Sequence, residues 1–417
     1  MKKTTLYNLI ATFFITMGVS SCADFLDQEN PAYDAEGFYA TEAGLKEGVT
    51  GIYPLLYFDM NWAVPACIVL DHYTAYGLEQ DENSSIGAGG TLNPDNGKIQ
   101  AFWTGEYQIA ARANSVIYGA KDAVAGMSDA ARQYYAEARV LRAYAYYNLI
   151  SAFGDVPFFT APVTIDEYKV GRTPKGEIID FLIKDLNDAA DYLPWTAAQR
   201  GRVDKAVAYG LIARIGLFGG SFNVENKAAE YFSIAADAAS KVIGKRKLAP
   251  KFSDLFNLTG QAKSEVRDEL LWELMYSTNG TKKLHTVGYG HSSRNYASSV
   301  RFPSSLIVDT YECIDGKRID ESPLYDPKQP TLNRDPRFNA TLAGHGDTIN
   351  YTITDGNNPQ KLILNIYDDK TRFYPRRNAW YTAPNVDVTS TSPSLVNSGV
   401  GYLWRKYADE NTELLMS

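Results

Sequence analysis

Apolar residues recur at helical spacing through the middle of this chain. Between Thr104 and Val124 they fall three or four residues apart, at Ile109, Ala113, Val116, Ala120 and Val124. The stretch Ala131–Ala152 repeats the pattern, with a stripe formed by Leu141, Tyr144, Leu149 and the following Phe153. Residues at this spacing share one face of a helix, which is buried against a neighbour. The two stretches therefore predict an antiparallel helix pair.

The pattern continues into a second helix pair and one further helix. Pro174–Leu193 aligns Ile178, Leu182, Leu186 and Ala190, and it is followed by Asp204–Phe218 and Asn226–Ile243. A short helix from Thr41 precedes them all, with Leu45, Val49 and Ile52 on one face. Helix pairs that recur at irregular spacing are typical of degenerate tetratricopeptide-like units.

Start and stop signals agree with these helices. Thr173 can accept hydrogen bonds from free amides at a helix start, and Pro174 suits the first helical position. Gly154 suits a left-handed cap, and Pro157 cannot continue a helix because it lacks an amide proton. Gly244 is the expected end of the last helix.

Elsewhere the helical period is lost. Residues 57–98 are rich in Gly, Asn, Asp and aromatic residues, and the chain after Leu248 is again rich in loops. Such long irregular segments commonly carry function. Short strands are predicted at Glu269–Tyr276 and Lys361–Tyr367. The predicted fold class is mainly α, with irregular helix pairs and a loop-rich region that bears a few short strands.

The N-terminus has the features of a lipoprotein export signal. Lys2 and Lys3 precede a short apolar run, and small residues lead to Cys22. The run is too brief to span a membrane. Residues 1–21 are therefore predicted to be a signal peptide, Cys22 to carry the lipid, and residues 22–40 to form a tether. Several acyl chains anchor a protein firmly, because each buried methylene contributes roughly 0.8 kcal/mol.

Charge argues against a nucleic-acid partner. The chain has 41 Lys and Arg against 49 Asp and Glu; removing residues 1–21 takes away two lysines and leaves 39 minus 49, or −10. An acidic surface repels phosphate backbones.

Beyond Cys22, the remaining cysteines are Cys67 and Cys313, which could form a disulfide or remain two buried thiols.

Signatures of catalysis are few. The chain has four histidines, no Gly-x-Ser-x-Gly elbow, no His-Glu-x-x-His pair and no phosphate-binding loop. We therefore predict no enzyme activity, no cofactor and no metal site. Residues 93–97 and 355–357 faintly resemble calcium loops but lack the later bidentate acid.

Three segments combine aromatic rings with amides, acids and arginines, as expected of sugar sites, where rings meet C–H faces and polar groups meet hydroxyls. The candidate binding residues are Asn61, Trp62, Asp71, Tyr73 and Tyr76 in the first segment, Tyr289, Arg294 and Tyr296 in the second, and Trp380 and Tyr381 in the third. By contrast, Trp103 and Trp272 are predicted to lie in the core and Trp404 to be structural. Trp195 follows a helix end and could go either way, with packing in the core or at its edge favoured.

Several motifs resemble the SusD/RagB family of outer-membrane nutrient-binding lipoproteins, and they occur in the same order. They are DFLD from residue 24, FWTGEYQIAARAN from 102, AEARVLRAYAYYNLISAFGDVPF from 136, GRTP from 171, PSSLIVDTYECIDGKR from 303 and NRDPRF from 333. The family's later Arg-Tyr-Ala-Glu-type motif has no match after Tyr407. We therefore expect either a truncated sequence or a shortened member.

The resemblance implies a helical-repeat region over residues 41–260 and a loop-rich region over residues 261–417. It also implies a glycan ligand, an outer-membrane location facing the exterior, and a SusC-like TonB-dependent transporter as partner. Family glycan sites are built from variable loops, so no binding residue is transferred by position. Two alternatives stay open: a peptide-binding receptor of the RagB type, and a helical-repeat adaptor without a small ligand.

Overall fold

The computed structural model describes residues 35–61, 64–65, 70, 74–79, 95–275, 301–351, 360–363 and 401–406. Within them, helices form the body of the molecule, and each long helix packs against the next in sequence. The short helices α1 (Ala35–Tyr39) and α2 (Glu42–Thr50) come first. The long helices are α3 (Gly97–Ala120), α4 (Asp129–Phe153), α5 (Lys175–Ala190), α6 (Lys205–Ser221) and α7 (Ala228–Val242).

The predicted helices are confirmed, with differences at their ends. The first long helix begins seven residues earlier than predicted, because Asn96 caps it by accepting hydrogen bonds from the amides of Lys98 and Ile99. It ends at Ala120 rather than Val124, which instead begins a 3₁₀ turn. Ser128 caps α4 in the same way, accepting from the Ala131 amide at 3.1 Å.

The predicted apolar stripes form the core. Ile109, Ala113 and Val116 of α3 are fully buried, as are Leu141 and Leu149 of α4. Burying a leucine or isoleucine side chain contributes roughly 1.5–3 kcal/mol relative to exposure. Packing of these faces, rather than helix propensity alone, therefore holds the helices in place.

The exit from α4 differs in part from the prediction. Gly154 has φ 74° and ψ −126°, so it has the positive φ that favours glycine but not the left-handed helical cap that was predicted. The start of α5 is different: Pro174 precedes the helix, and the side chain that serves the free Lys175 amide belongs to Asp155, at 2.9 Å. Thr173 instead forms a β-bridge with Val156. A contact across the turn replaces the predicted local cap.

Buried arginines join the helices. Arg139 and Arg142 of α4 both bind Asp185 of α5, each at 2.7 Å. Neither arginine pairs with Glu137 or Asp155, the acids nearer to them in sequence. Glu137 lies two residues from Arg139, which is about 200° around the helix, so it faces a different neighbour.

Glu137 connects α4 to the segments on its other side. Its carboxylate accepts hydrogen bonds from the Tyr53 hydroxyl at 2.8 Å and from Arg202 Nε at 2.9 Å. The Tyr53 oxygen accepts in turn from the Val203 amide at 3.0 Å. Burial raises the pKa of Glu137, while Arg202 opposes that shift. This cluster holds the turn after α2 against the turn before α6.

The loop-rich region contains short elements. Its helices are α8 (Leu258–Gln261), α9 (Ser264–Arg267), α10 (Ser305–Thr310) and α11 (Pro336–Thr341). The strands of the described residues are β1 (Asp59–Asn61), β2 (Val64–Pro65), β3 (Gly77–Glu79), β4 (Arg301–Pro303), β5 (Leu342–Ala343), β6 (Thr348–Tyr351), β7 (Gln360–Ile363) and β8 (Leu403–Trp404). They form antiparallel pairs β1–β2, β3–β4, β5–β8 and β6–β7.

One strand prediction was wrong. Residues 269–275 adopt no strand. Trp272 explains the conformation: its indole N–H donates to the Gly201 carbonyl at 2.9 Å, and its ring meets Tyr144 edge-on. Residues 269–275 therefore pack against the helical body through Trp272 and do not pair with another strand. The Lys361–Tyr367 strand is confirmed over 361–363, and the rest lies outside the described residues.

Trp103, Trp404 and Cys313 are all at least partly buried. Trp103 packs against the helical core beside Tyr107 and Phe153, as predicted. Trp404 is half-buried in β8, in agreement with a structural role. Cys313 is buried with a free thiol, and Cys67 lies outside the described residues. In the part of the chain that the structure describes, no helix is long and apolar enough to cross a membrane.

Helices α6 and α7 approach closely at Gly216. A Cβ atom there would lie 2.8 Å from the Tyr231 carbonyl oxygen and 3.1 Å from Ala235 Cβ. We expect Gly216→Ala to lower the free energy of unfolding by about 1–3 kcal/mol, because backbone must move to admit the methyl group. Urea denaturation measures the effect. The matched control is Gly97→Ala, which meets nothing within 4 Å and is expected to be neutral or stabilising. Equal stability of the two variants would contradict the close approach.

Candidate functional site

Most of the predicted binding residues lie outside the described part of the chain. These are Trp62, Asp71, Tyr73, Tyr289, Arg294, Tyr296, Trp380 and Tyr381, and Cys22 also lies outside it. Asn61 ends β1, and its backbone alone is described. Tyr76 is described in full, and its side chain is 46% exposed just before β3. The described residues that flank the predicted segments therefore define the candidate site.

The chain packs against α3 just before the first predicted segment. The ring of Phe58 lies over Gly105, where a Cβ atom would be 2.8 Å from it, and its centroid is 6.1 Å from that of Phe102. Only glycine leaves room for the ring at this place. Gly105 therefore leaves the space in which the Phe58 ring packs on the helical body, a contact called the Gly105 seat below.

Met275, which precedes the second predicted segment, is attached to Tyr57, the neighbour of Phe58 in sequence. The Tyr57 hydroxyl accepts a hydrogen bond from the Met275 amide at 2.7 Å and donates to the Met275 carbonyl at 2.8 Å. Burial raises the pKa of Tyr57, so the hydroxyl keeps its proton and can make both bonds. Residues 218 positions apart are thereby joined at one point.

The far ends of the two segments are also joined. Strand β3 pairs with β4 in the register Gly77 opposite Pro303 and Glu79 opposite Arg301. The pairing continues into Ser304, whose amide donates to the Tyr76 carbonyl and whose hydroxyl donates to the Ala75 carbonyl, at 2.8 and 2.7 Å. The described residues that flank the first and second predicted segments are thus joined on both sides. The exposed Tyr76 lies at their second junction.

The third segment is attached nearby. Strand β8, which follows it, pairs with β5 and contacts β4. Arg405 extends this attachment by donating to the carbonyls of Asn339 and Thr348, at 2.8 and 2.7 Å. One described strand flanking each predicted segment therefore lies at β4: β3 pairs with it, β4 itself follows the second segment, and β8 contacts it. This arrangement is compatible with a shared binding surface.

A buried acid lies beneath this region and was missed from the sequence. Glu106, next to the Gly105 seat, is 1% exposed. Its Oε1 accepts a hydrogen bond from Asn148 Nδ2 at 2.8 Å, and its Oε2 has no hydrogen-bond partner among the described residues. Burial raises the pKa of Glu106 to about 8, and the Asn148 amide opposes this only partly.

Glu106 is consequently neutral at pH 7, and its burial keeps it from a ligand. Its role is in the body under the site rather than in contact chemistry. A signal for it did exist in the sequence, because Phe102, Glu106 and Ile109 follow the apolar stripe of α3 at intervals of four and three. An acid in such a stripe indicates a buried, neutral carboxyl.

The fold and these attachments together define a class: a helical-repeat protein whose predicted ring-bearing segments are flanked by residues attached to the helical body. Two models of one family match the chain. The first, described as "Starch-binding associating with outer membrane", matches residues 24–217, and the second, "SusD family", matches residues 268–414. The chain belongs to the SusD/RagB family, which confirms the resemblance seen in its motifs.

Curated relatives agree. SusD-like protein P2 of Formosa agariphila is 27% identical over 310 residues, which cover 70% of this chain and 56% of the relative. Starch-binding protein SusD of Bacteroides thetaiotaomicron is 31% identical over 179 residues, covering 41% of this chain and 30% of that protein. The chain spans about half the length of the first of these relatives.

Solved structures confirm the predicted fold. A SusD-like carbohydrate-binding protein from Bacteroides fragilis superimposes with a TM-score of 0.69 at 21% identity, over 91% of this chain and 70% of that one. A second SusD-like protein of the same species gives 0.67 at 16% identity, over 91% and 71%. The helical superhelix with a loop-rich region is therefore the fold of this chain.

Proposed function

We propose that this protein is a cell-surface lipoprotein that binds oligosaccharide or polysaccharide and delivers it to a SusC-like TonB-dependent outer-membrane transporter. Family membership supports this, as do relatives and neighbours named as starch-binding or carbohydrate-binding. Cys22 would carry the lipid, and no nucleic acid is involved. The observation that carries the proposal is the paired attachment of the two ring-bearing segments, through Tyr57–Met275 and β3–β4.

The paired attachment of the two segments favours the binding of a weak ligand, because it lowers the conformational entropy that the segments lose on binding. A sugar face and an indole that hide about 100 Å² of apolar area contribute roughly 2.5 kcal/mol before ordering costs. Two or three rings with a few hydrogen bonds then give about −4 to −8 kcal/mol, or millimolar to micromolar affinity. A segment that becomes ordered when the ligand binds loses part of this free energy, and joined ends reduce that loss. Weak, reversible capture suits delivery to a transporter.

Capture without cleavage is the second part of the proposal. Glu106 is 1% exposed and therefore cannot meet a sugar. Incubating the purified protein with candidate polysaccharides should release no new reducing ends. Their appearance would replace the binding proposal with a hydrolase.

The binding test combines Trp62→Ala with Trp380→Ala. We expect retardation in affinity gels containing the best glycan from an array to be abolished, because two rings at roughly 2.5 kcal/mol each exceed half the expected affinity. The control is Tyr118→Ala, an exposed ring on α3 that lies about 20 Å along the helix from the Gly105 seat.

The outcomes separate the alternatives. Retained binding in the double variant would refute the assignment of these rings while leaving the family intact. Binding of peptides and of no glycan would favour a RagB-type peptide receptor. A wild-type protein that binds neither, yet is captured by a transporter, would favour an adaptor.

A further inference from the structure

A lysine–aromatic patch lies at one end of the α6–α7 pair, outside the site described above. It comprises Trp195 and Tyr209 with Lys205, Lys241 and Lys245. Lys205 begins α6, Tyr209 lies one turn further along it, and the other two lysines lie at the end of α7 and just beyond it. Because the start of α6 and the end of α7 lie together, residues 36–40 positions apart in sequence form one surface.

The ammonium groups lie close to the rings. Lys241 Nζ is 4.4 Å from the centroid of Tyr209, and Lys245 Nζ and Lys205 Nζ are 5.3 and 5.8 Å from that of Trp195. The two rings are 6.0 Å apart and inclined by 35°. Both rings are half-buried, Lys241 and Lys245 are exposed, and the neighbouring Tyr192 is 49% exposed. The patch therefore offers aromatic surface and positive charge to the same ligand.

The positive charge of the patch is not neutralised by the described residues. None of its three lysines makes an ion pair with them, whereas the adjacent Arg246 is paired with Asp204 and lies 4.0 Å from Asp268. This occurs in a chain whose formal net charge is −8. Two of the ammonium groups lie 5.3 and 5.8 Å from the centroid of one indole. They are therefore at most about 11 Å apart, which is close to the Debye length of about 10 Å at 0.1 M salt. An anion bound beside the indole would be attracted by both.

The combination selects the chemistry of the ligand. A single lysine over a ring needs no ligand, because its methylene chain packs on the ring while its ammonium group stays in water, as in many surface lysines. Three such lysines without acid partners favour an anion, and the rings favour one carried on an apolar face. A sugar ring with a carboxylate or sulfate group has both features.

We propose that the lysine–aromatic patch is a second glycan subsite that binds an acidic sugar unit, either a uronate or a sulfated residue. The inference rests on the proposed function only in taking a glycan as the ligand. It adds a position on the helical body and a preference for negative charge. The loops would then hold one part of a polymer while the patch holds another, which raises avidity for long acidic chains.

The test compares dextran sulfate with dextran, a charged and a neutral polymer of one sugar, together with oligogalacturonate. The variant is Lys205→Gln, Lys241→Gln and Lys245→Gln in the full chain. The matched control is Lys46→Gln, Lys317→Gln and Lys328→Gln, which removes the same charge from exposed positions elsewhere. We expect the patch variant to weaken binding of a charged probe at least tenfold in calorimetry and to flatten its salt dependence. The control should change it less than twofold.

Several results would overturn the inference. These are no wild-type binding of either charged probe, equal weakening by the control, or binding of phosphatidylglycerol vesicles in place of the polymers, which would assign the patch to a membrane surface. Trp195→Phe should retain binding and Trp195→Ala should reduce it, at unchanged melting temperature. The Trp62/Trp380 double variant separates the two proposals, because it removes the loop site and leaves the lysines in place.

Discussion

Asp185→Asn is expected to lower the free energy of unfolding by about 3–5 kcal/mol, the cost of breaking a buried ion pair from one side. Asp185 is 7% exposed and binds Arg139 and Arg142 at 2.7 Å each. The Arg142 guanidinium also donates to Asn114 Oδ1 at 3.1 Å and lies over Phe181. Asparagine keeps the shape but leaves Arg142 inside the helical body without a counter-charge, and it leaves Arg139 only the half-exposed Asp188. Guanidinium or urea denaturation of the purified variant measures the loss.

Asp188→Asn is the matched control. Asp188 lies on the same helix, also reaches Arg139, at 3.5 Å, and has a side chain that is 47% exposed. The same substitution there should cost less than about 1 kcal/mol, because water can replace the carboxylate. If both variants lost similar stability, the buried pair would not be what joins α4 to α5.

The second large effect is a change in pH dependence caused by Glu106→Gln. Glu106 has a pKa of about 8 in the folded protein because it is buried, against 4.5 in an exposed chain. Between these values the native state keeps a proton that the unfolded state has released. Wild-type stability should therefore fall as pH rises, by about 1.4 kcal/mol per unit, and level off above pH 8. Glutamine has no proton to lose and can keep the bond from Asn148.

Denaturation at pH 5, 7 and 9 checks this. Relative to wild type, Glu106→Gln should gain stability with rising pH, on the order of 4 kcal/mol between pH 5 and 9. The control is Glu167→Gln. Hydrogen bonds from Thr164 lower the pKa of that exposed carboxyl, so its contribution is lost only as pH falls below about 4.5, outside the range tested. A parallel pH profile for Glu106→Gln and wild type would show that Glu106 is not buried as a neutral acid.

The helices were largely predictable because their signals are local. The Ala131–Ala152 prediction differs from α4 by two residues at its start and one at its end, and Gly154 has the positive φ that was expected. The Glu269–Tyr276 strand failed for the opposite reason. Its apolar run satisfied a strand pattern, but Trp272 found Tyr144 and Gly201 on the helices instead of a partner strand. A strand requires a neighbour, and the pattern of one segment does not supply it.

The candidate site divides in the same way. The ring-bearing segments could be recognised by composition, and their individual residues remain predictions, apart from the exposure of Tyr76. Their joined attachment could not be foreseen. Tyr57 meets Met275, and Gly77 meets Pro303, across more than 200 positions of sequence. Composition says that a segment could bind a sugar; distance decides whether two such segments can bind the same one.

By itself, the sequence determined the helical periods, their start and stop signals and the family, because each depends on residues within a few turns or on motifs kept in order. Only the tertiary structure decided that Asp185 is the partner of Arg139 and Arg142, how far burial raises the pKa of Glu106, and that three lysines gather around Trp195 and Tyr209. Ion pairing, desolvation and charge clustering all depend on distances between residues far apart in the chain. Those distances exist only after the helices have packed.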